Sequence, residues 1–237
     1  VRAGEFRDRR VIVIGADAGL GPATVEAFAQ LGARLVVDGA APPPGAIALP
    51  LDIADGRSIR GFVTRAVVEL GGLDIVIVAA RPVATGRILE RSEEQMRRVI
   101  DDELVGVMLC LQEAARAMEP NGYGRIISFA SMSGKTGVHT GVGTYAAAKG
   151  GLITFSRVLA AELAPTGVTV NVIATALFEP QVAGLDAQHR DELARAIPVQ
   201  RFGRPAEAVH AVLYLASEDA GYVTGETLNL SGGRFMD

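Results

Sequence analysis

The chain has 237 residues, 49% hydrophobic and 21% charged, with a formal net charge of −4. That length and apolar content suit one α/β domain with a large core and exclude an intrinsically disordered chain. The acidic balance argues against nucleic acid or an anionic membrane as the main partner, and no apolar run approaches the ~18 residues that span a bilayer.

In chain order, residues 1–10, "VRAGEFRDRR", are charged and lack the apolar centre of a signal peptide; they read as an N-terminal extension or cloning remnant. "VIVIG" (11–15) reads as a buried strand, and "GPATVEAFAQLG" (21–32) as a helix closed by Gly32. "RLVVD" (34–38) and "IALPLDI" (47–53) are strands, the latter weakened by Pro50. Between them "GAAPPPGA" cannot hold a helix, so the second crossover is predicted to be a proline-stiffened loop. A helix over 58–72, a strand over 74–80 and one long helix over roughly 92–118 follow. The strand 125–131, helix 144–164 and strand 168–174 come next, then the helix 204–217 with Pro205 in its first turn, and the strand 226–232. The weakly periodic stretch 177–198 is expected to form a flap over a site. Strands apolar on both sides predict a parallel sheet of about seven strands covered on both faces, in one α/β domain spanning 11–237.

Between the first strand and first helix, Gly15, Gly19 and Gly21 are spaced G-x-x-x-G-x-G. Glycines let a backbone turn tightly and approach a pyrophosphate, and the following helix start offers free N–H groups to that anion. A dinucleotide is therefore the expected ligand. Asp38 ends the second strand, where a carboxylate can accept the ribose hydroxyls of NAD and repel the 2′-phosphate of NADP. No Lys or Arg occurs in "GADAGLG" or "DGAAPPPG", so NAD(H) is expected, NADP(H) being the less favoured cofactor.

Tyr145 and Lys149 in "YAAAK" are four apart and so share one helix face. An ammonium beside a phenol lowers its pKa from about 10 and makes it a usable acid or base. Ser131 closes the strand "RIISFAS" at the carboxyl edge of the sheet, where its hydroxyl can donate to a substrate oxygen; Ser133 is a competitor for that role. The alanines between Tyr145 and Lys149 are expected to leave room for a ligand. Other chemistry-bearing residues are ambiguous. His139, in the loop between Ser131 and Tyr145, either touches substrate or is exposed. His189 reads as flap surface and His210 as a satisfied packing residue; Cys110 is a core residue, and Asp101 and Asp102 form a charged helix face. No metal-ligand spacing occurs, so no metal is expected.

Together these blocks resemble the short-chain dehydrogenase/reductase family over about 11–234. Its motifs appear as "IGADAGLG", "LPLDIAD", "GGLDIVIVAA", "YAAAKGGL" and "GYVTGETLNLSGG". The resemblance implies a Rossmann-type sheet of seven parallel strands, a nicotinamide cofactor and a Ser–Tyr–Lys site. Ser131 would orient the carbonyl and Tyr145 transfer the proton. Lys149 would lower the Tyr145 pKa and hold the nicotinamide ribose, Asp52 would contact the adenine and Asp38 the adenosine ribose. The family's N-N-A-G is "VAAR" here, its relay asparagine aligns with Glu103, its P-G with Thr175–Ala176 and its following threonine with Pro180. The family also more often carries the second-strand acid where Gly39 stands. Arg81 is either a contact for an acidic substrate or a partner for Glu103.

The expected activity is an NAD(H)-dependent interconversion of a secondary alcohol and a ketone, with Tyr145 as general acid/base. The alternative is a catalytically degenerate subunit, or a cofactor-binding regulatory module of a hetero-oligomer. A cytoplasmic homotetramer or homodimer is expected, built through the helix 92–118, with Met108 and Cys110, and the helix carrying Tyr145; a small-molecule alcohol or ketone would be the substrate.

Overall fold

The computed structural model describes residues 2, 4–79, 85–136 and 139–236. Seven parallel strands form one sheet in the order β3-β2-β1-β4-β5-β6-β7. The strands are β1 (Arg10–Ile14), β2 (Arg34–Val37), β3 (Ile47–Ala48), β4 (Ile75–Val78), β5 (Gly124–Ser131), β6 (Val168–Thr175) and β7 (Thr227–Leu230). The chain runs outward from β1 through β2 to β3, then returns to the other side of β1 with β4. The carboxyl ends of β1 and β4 therefore flank the point where the winding reverses, the usual place for a ligand in such sheets.

The sheet is apolar on both faces because alternate residues enter different cores. Ile12 and Ile14 of β1 pack with α2 (Gly56–Leu70), α4 (Gly106–Met118) and α6 (Gly143–Leu163), while Val11 and Val13 pack with α1 (Gly21–Gln30) and α9 (Pro205–Ala216). Phe6 is fully buried in the second core, its ring edge-on to Phe28 with centroids 5.2 Å apart, so the segment preceding β1 packs on the domain.

The crossover from β2 to β3 contains no helix, as its prolines predict. β3 is shorter than expected, two residues rather than seven, since Pro50 has no N–H to continue the ladder. The long helix expected over 92–118 is interrupted. It consists of α3 (Glu93–Ile100), a π-turn (Asp101–Val105) and α4. After β6 the weakly periodic stretch forms α7 (Glu179–Val182) and α8 (Ala187–Arg195) over a small cluster of its own, Val182, Ile197 and Phe202. Between β5 and α6 lies the short α5 (Ser133–Thr136).

Candidate active site

The loop from β1 to α1 is built by glycines that a side chain could not replace. Gly15 and Gly19 have φ of +81° and +60°, and a Cβ on Gly21 would lie 2.0 Å from the Gly15 carbonyl oxygen. Gly19 and Leu20 open into a cleft of about 550 Å³ that Ser131, Tyr145 and Thr175 also line. A side-chain-free cradle at a helix start, opening on the same cleft as a phenol and a hydroxyl, fits the pyrophosphate of a dinucleotide.

Asp38 stands in a geometry different from the one expected. Its carboxylate accepts the Gly15 N–H at 2.9 Å through both oxygens and the Ala16 N–H at 2.9 Å, so it is turned onto the glycine loop. A second carboxylate, Asp17, accepts the Ala40 N–H at 3.0 Å, and its Oδ1 would lie 2.2 Å from a Cβ on Gly39. Gly39 is thus the residue that admits Asp17 to the end of β2. Asp52 is exposed; it accepts the Ala54 N–H at 3.0 Å and lines a separate groove with Arg97 and Arg98.

Ser131 and Thr175 are paired in register at the carboxyl ends of β5 and β6, and Tyr145 reaches them from the first turn of α6. The Ser131 hydroxyl lines the cleft together with the Tyr145 phenol and accepts the Ser133 N–H at 3.1 Å. Lys149 is buried one turn further along α6, its Nζ 5.6 Å from the centre of the Tyr145 ring, donating to the Phe129 carbonyl at 3.1 Å. The alanines play a different part from the one expected. None of Ala146, Ala147 and Ala148 lines the cleft, and Ala148 is wholly buried, because intermediate positions on a helix point away from the face that i and i+4 share.

Lys149 is not a solitary cation. The π-turn carries the buried Glu103 inward until its Oε2 is 2.8 Å from Nζ. This contact is an ion pair rather than a well-aligned hydrogen bond. The expected direction at Tyr145 is reversed: burial first, and then the Glu103 charge, push the phenol above its ordinary value, while the nearby Ser131 hydroxyl pulls it down. The ammonium's field is largely cancelled by the carboxylate it touches.

A family profile described as enoyl-(acyl carrier protein) reductase matches residues 15–234. The 3-oxoacyl-[acyl-carrier-protein] reductase FabG of Escherichia coli is 34% identical over 98% of this chain and 99% of its own length. The chain belongs to the short-chain dehydrogenase/reductase family. Cis-4-hydroxycyclohexanecarboxylate dehydrogenase from Sinomonas cyclohexanicum is 34% identical to this short-chain dehydrogenase/reductase, over 96% of this chain and 97% of that protein. A solved short-chain type dehydrogenase/reductase from Mycobacterium marinum superposes with a TM-score of 0.89 at 29% identity, covering 99% and 98% of the two chains.

Three site features of this short-chain dehydrogenase/reductase escaped sequence reading. Asp17 had a signal, an acid inside the glycine loop, but only the fold brings it to β2. Arg234, beyond the last strand, lines the cleft, and nothing local in "SGGRFMD" points there. The Glu103–Lys149 pair depends on a π-turn that leaves no local signature. Of the histidines, His139 lines the cleft, its Nδ1 3.4 Å from Ser133 Oγ and 3.3 Å from Thr136 Oγ1. His189 is exposed beside Asp186 at 2.5 Å. His210 is exposed rather than packed, its Nδ1 2.6 Å from the Ala206 carbonyl. The flap residues Leu177, Phe178, Pro180 and Gln181 form one wall. Arg81 lies outside the described residues.

Proposed function

We propose that the protein is an NAD(H)-dependent oxidoreductase that interconverts a secondary alcohol and a ketone, with Tyr145 as proton donor and acceptor. The observation that carries this reading is that Ser131 and Tyr145 stand together on the wall of the cleft into which the glycine loop opens. The N–H groups at Gly19 and Leu20 would hold the cofactor's pyrophosphate, and Lys149 the nicotinamide ribose. The bound nicotinamide supplies or accepts the hydride. Ser131 donates to the substrate oxygen and orients it. Tyr145 then delivers its proton to that oxygen during reduction, and takes it back during oxidation.

A phenol held above its ordinary pKa stays protonated through the neutral range, which suits it to protonating a ketone oxygen. Oxidation needs the deprotonated phenol and is favoured at alkaline pH. The preference for NAD(H) rests on Asp17 and Asp38 at the adenosine end, with no Lys or Arg in 15–21 or 38–46 to receive a 2′-phosphate. The named substrates of the relatives, a 3-oxoacyl thioester and a cyclic hydroxy acid, both belong to the alcohol–ketone class.

The test combines binding and turnover. Titration with NADH is expected to shift cofactor fluorescence, and Tyr145→Phe is expected to retain that binding while lowering kcat by about 10²-fold or more. Absence of affinity for either nicotinamide nucleotide would overturn the proposal. The Glu103–Lys149 ion pair favours one second reading, a cofactor-binding subunit of a hetero-oligomer with little turnover of its own. That reading predicts NADH binding without reduction of any ketone in a broad panel.

A further inference from the structure

Beyond the reacting pair, the cleft has a marked chemical asymmetry. Much of its wall is apolar, supplied by Leu20, Met132, Val142, Leu177 and Phe178. Among the described lining residues none is acidic, and the permanent charge is that of Arg234. Arg234 is partly buried at the chain's C-terminal end, and it makes no ion pair with a carboxylate among the described residues. A guanidinium held against an apolar wall without a counter-ion is costly, and a planar two-oxygen anion is the group it recognises best.

We infer that Arg234 binds an anionic group of the substrate, so that the oxidoreductase acts on a secondary alcohol or ketone carrying a carboxylate.

The inference rests on the function proposed above and names the substrate class of that same site. Its geometry follows the cleft wall outward from the reacting oxygen. Tyr145 and Ser131 share one wall, and the Ser131 oxygen accepts the Ser133 N–H at 3.1 Å; the Ser133 hydroxyl is 3.4 Å from His139 Nδ1, and Arg234 lines the same cleft. The anion therefore sits on the His139 side of the reacting carbon, with the rest of the substrate against the apolar wall. Burial first, and then the Arg234 charge, hold the pKa of His139 below the ordinary value. It is thus neutral near pH 7 and offers a hydrogen bond beside the anion, without duplicating the charge. Because Gly19 and Leu20 open on the same cleft, the competing role for Arg234 is a contact to the cofactor's own phosphates.

Calorimetric titration of the free and NADH-loaded chain with 3-hydroxyhexanoate and its methyl ester separates these roles. The acid is expected to bind about tenfold or more tighter than the ester to the wild type. In Arg234→Gln that preference is expected to vanish, with ester and NADH affinities unchanged within about twofold; Arg234→Lys is expected to keep part of it. Equal binding of acid and ester, binding of neither, or a preference that survives Arg234→Gln would overturn the inference. So would a parallel loss of NADH affinity, which would assign Arg234 to the cofactor. Turnover of neutral alcohols without any acid preference would remove this inference and leave the oxidoreductase reading standing. Acid-selective binding with no hydride transfer from any alcohol would do the reverse.

Discussion

Tyr145, Lys149 and Glu103 form a three-residue circuit in which the carboxylate adds to burial in keeping the phenol protonated. Negative charge at Glu103 disfavours the phenolate, so removing it leaves Lys149 uncompensated and lowers the Tyr145 pKa. In Glu103→Gln the alkaline rise of alcohol oxidation should therefore begin about one unit or more lower in pH, and the fall of ketone reduction should begin correspondingly earlier. The measurement is kcat against pH in both directions. An unshifted profile would show that Glu103 acts only as a packing residue. At the other end of the cofactor site, wild type is expected to favour NAD over NADP by about tenfold or more in kcat/KM, and Asp17→Ser should narrow that ratio. Steady-state kinetics with both nucleotides checks it, and an unchanged ratio would return the discrimination to Asp38 alone. Tyr145, Ser131 and the glycines were legible because fixed spacing on a helix, at a strand end or in a tight turn converts directly into position. Asp17 and Arg234 were not, because their places depend on contacts between segments distant in the chain.

At the scale of elements, one close approach holds the site together. A Cβ on Gly134 would lie 2.7 Å from the Gly150 nitrogen, so α5 rests directly on the α6 backbone beside Lys149. Gly134→Ala must push the helices apart, at a cost of about 1–3 kcal/mol of stability. Because α5 begins at Ser133, two residues after Ser131, kcat should fall more than NADH affinity does. Thermal melts and single-turnover rates read the two effects separately, and an unchanged kcat would mean that the loop absorbs the shift. Most elements were visible as apolar runs and helix signals, and the helix-free second crossover followed from three consecutive prolines. The π-turn was not visible. An extra backbone residue per turn leaves the apolar periodicity nearly unchanged, and the driving force is a charge meeting Lys149 across the core. β3 was overestimated because alternating apolar residues beyond Pro50 imitate a strand that has lost its donor.

At the scale of the whole molecule, one sheet with two apolar faces was readable from β-branched runs alone, whereas assembly was only implied by resemblance. Cys110 is fully buried within the fold and cannot serve an interface, and Met108 is only partly exposed. The outward apolar positions on the expected surface are Val105, 41% exposed, and Val158 on α6, 55% exposed. A homotetramer or homodimer through these helices predicts that Val105→Asp combined with Val158→Asp lowers the mass seen by light scattering. Retention of the wild-type mass would place the contact elsewhere.

The small apolar cluster beneath α7 and α8 is separate from the two large cores of the sheet. A wall with its own interior, anchored to the second core of the sheet through Phe178, can adjust without loosening the strands that carry Ser131 and Thr175. Admission of substrate and cohesion of the domain then become independent quantities: the doorway can be tuned for residence time while the frame keeps its melting point.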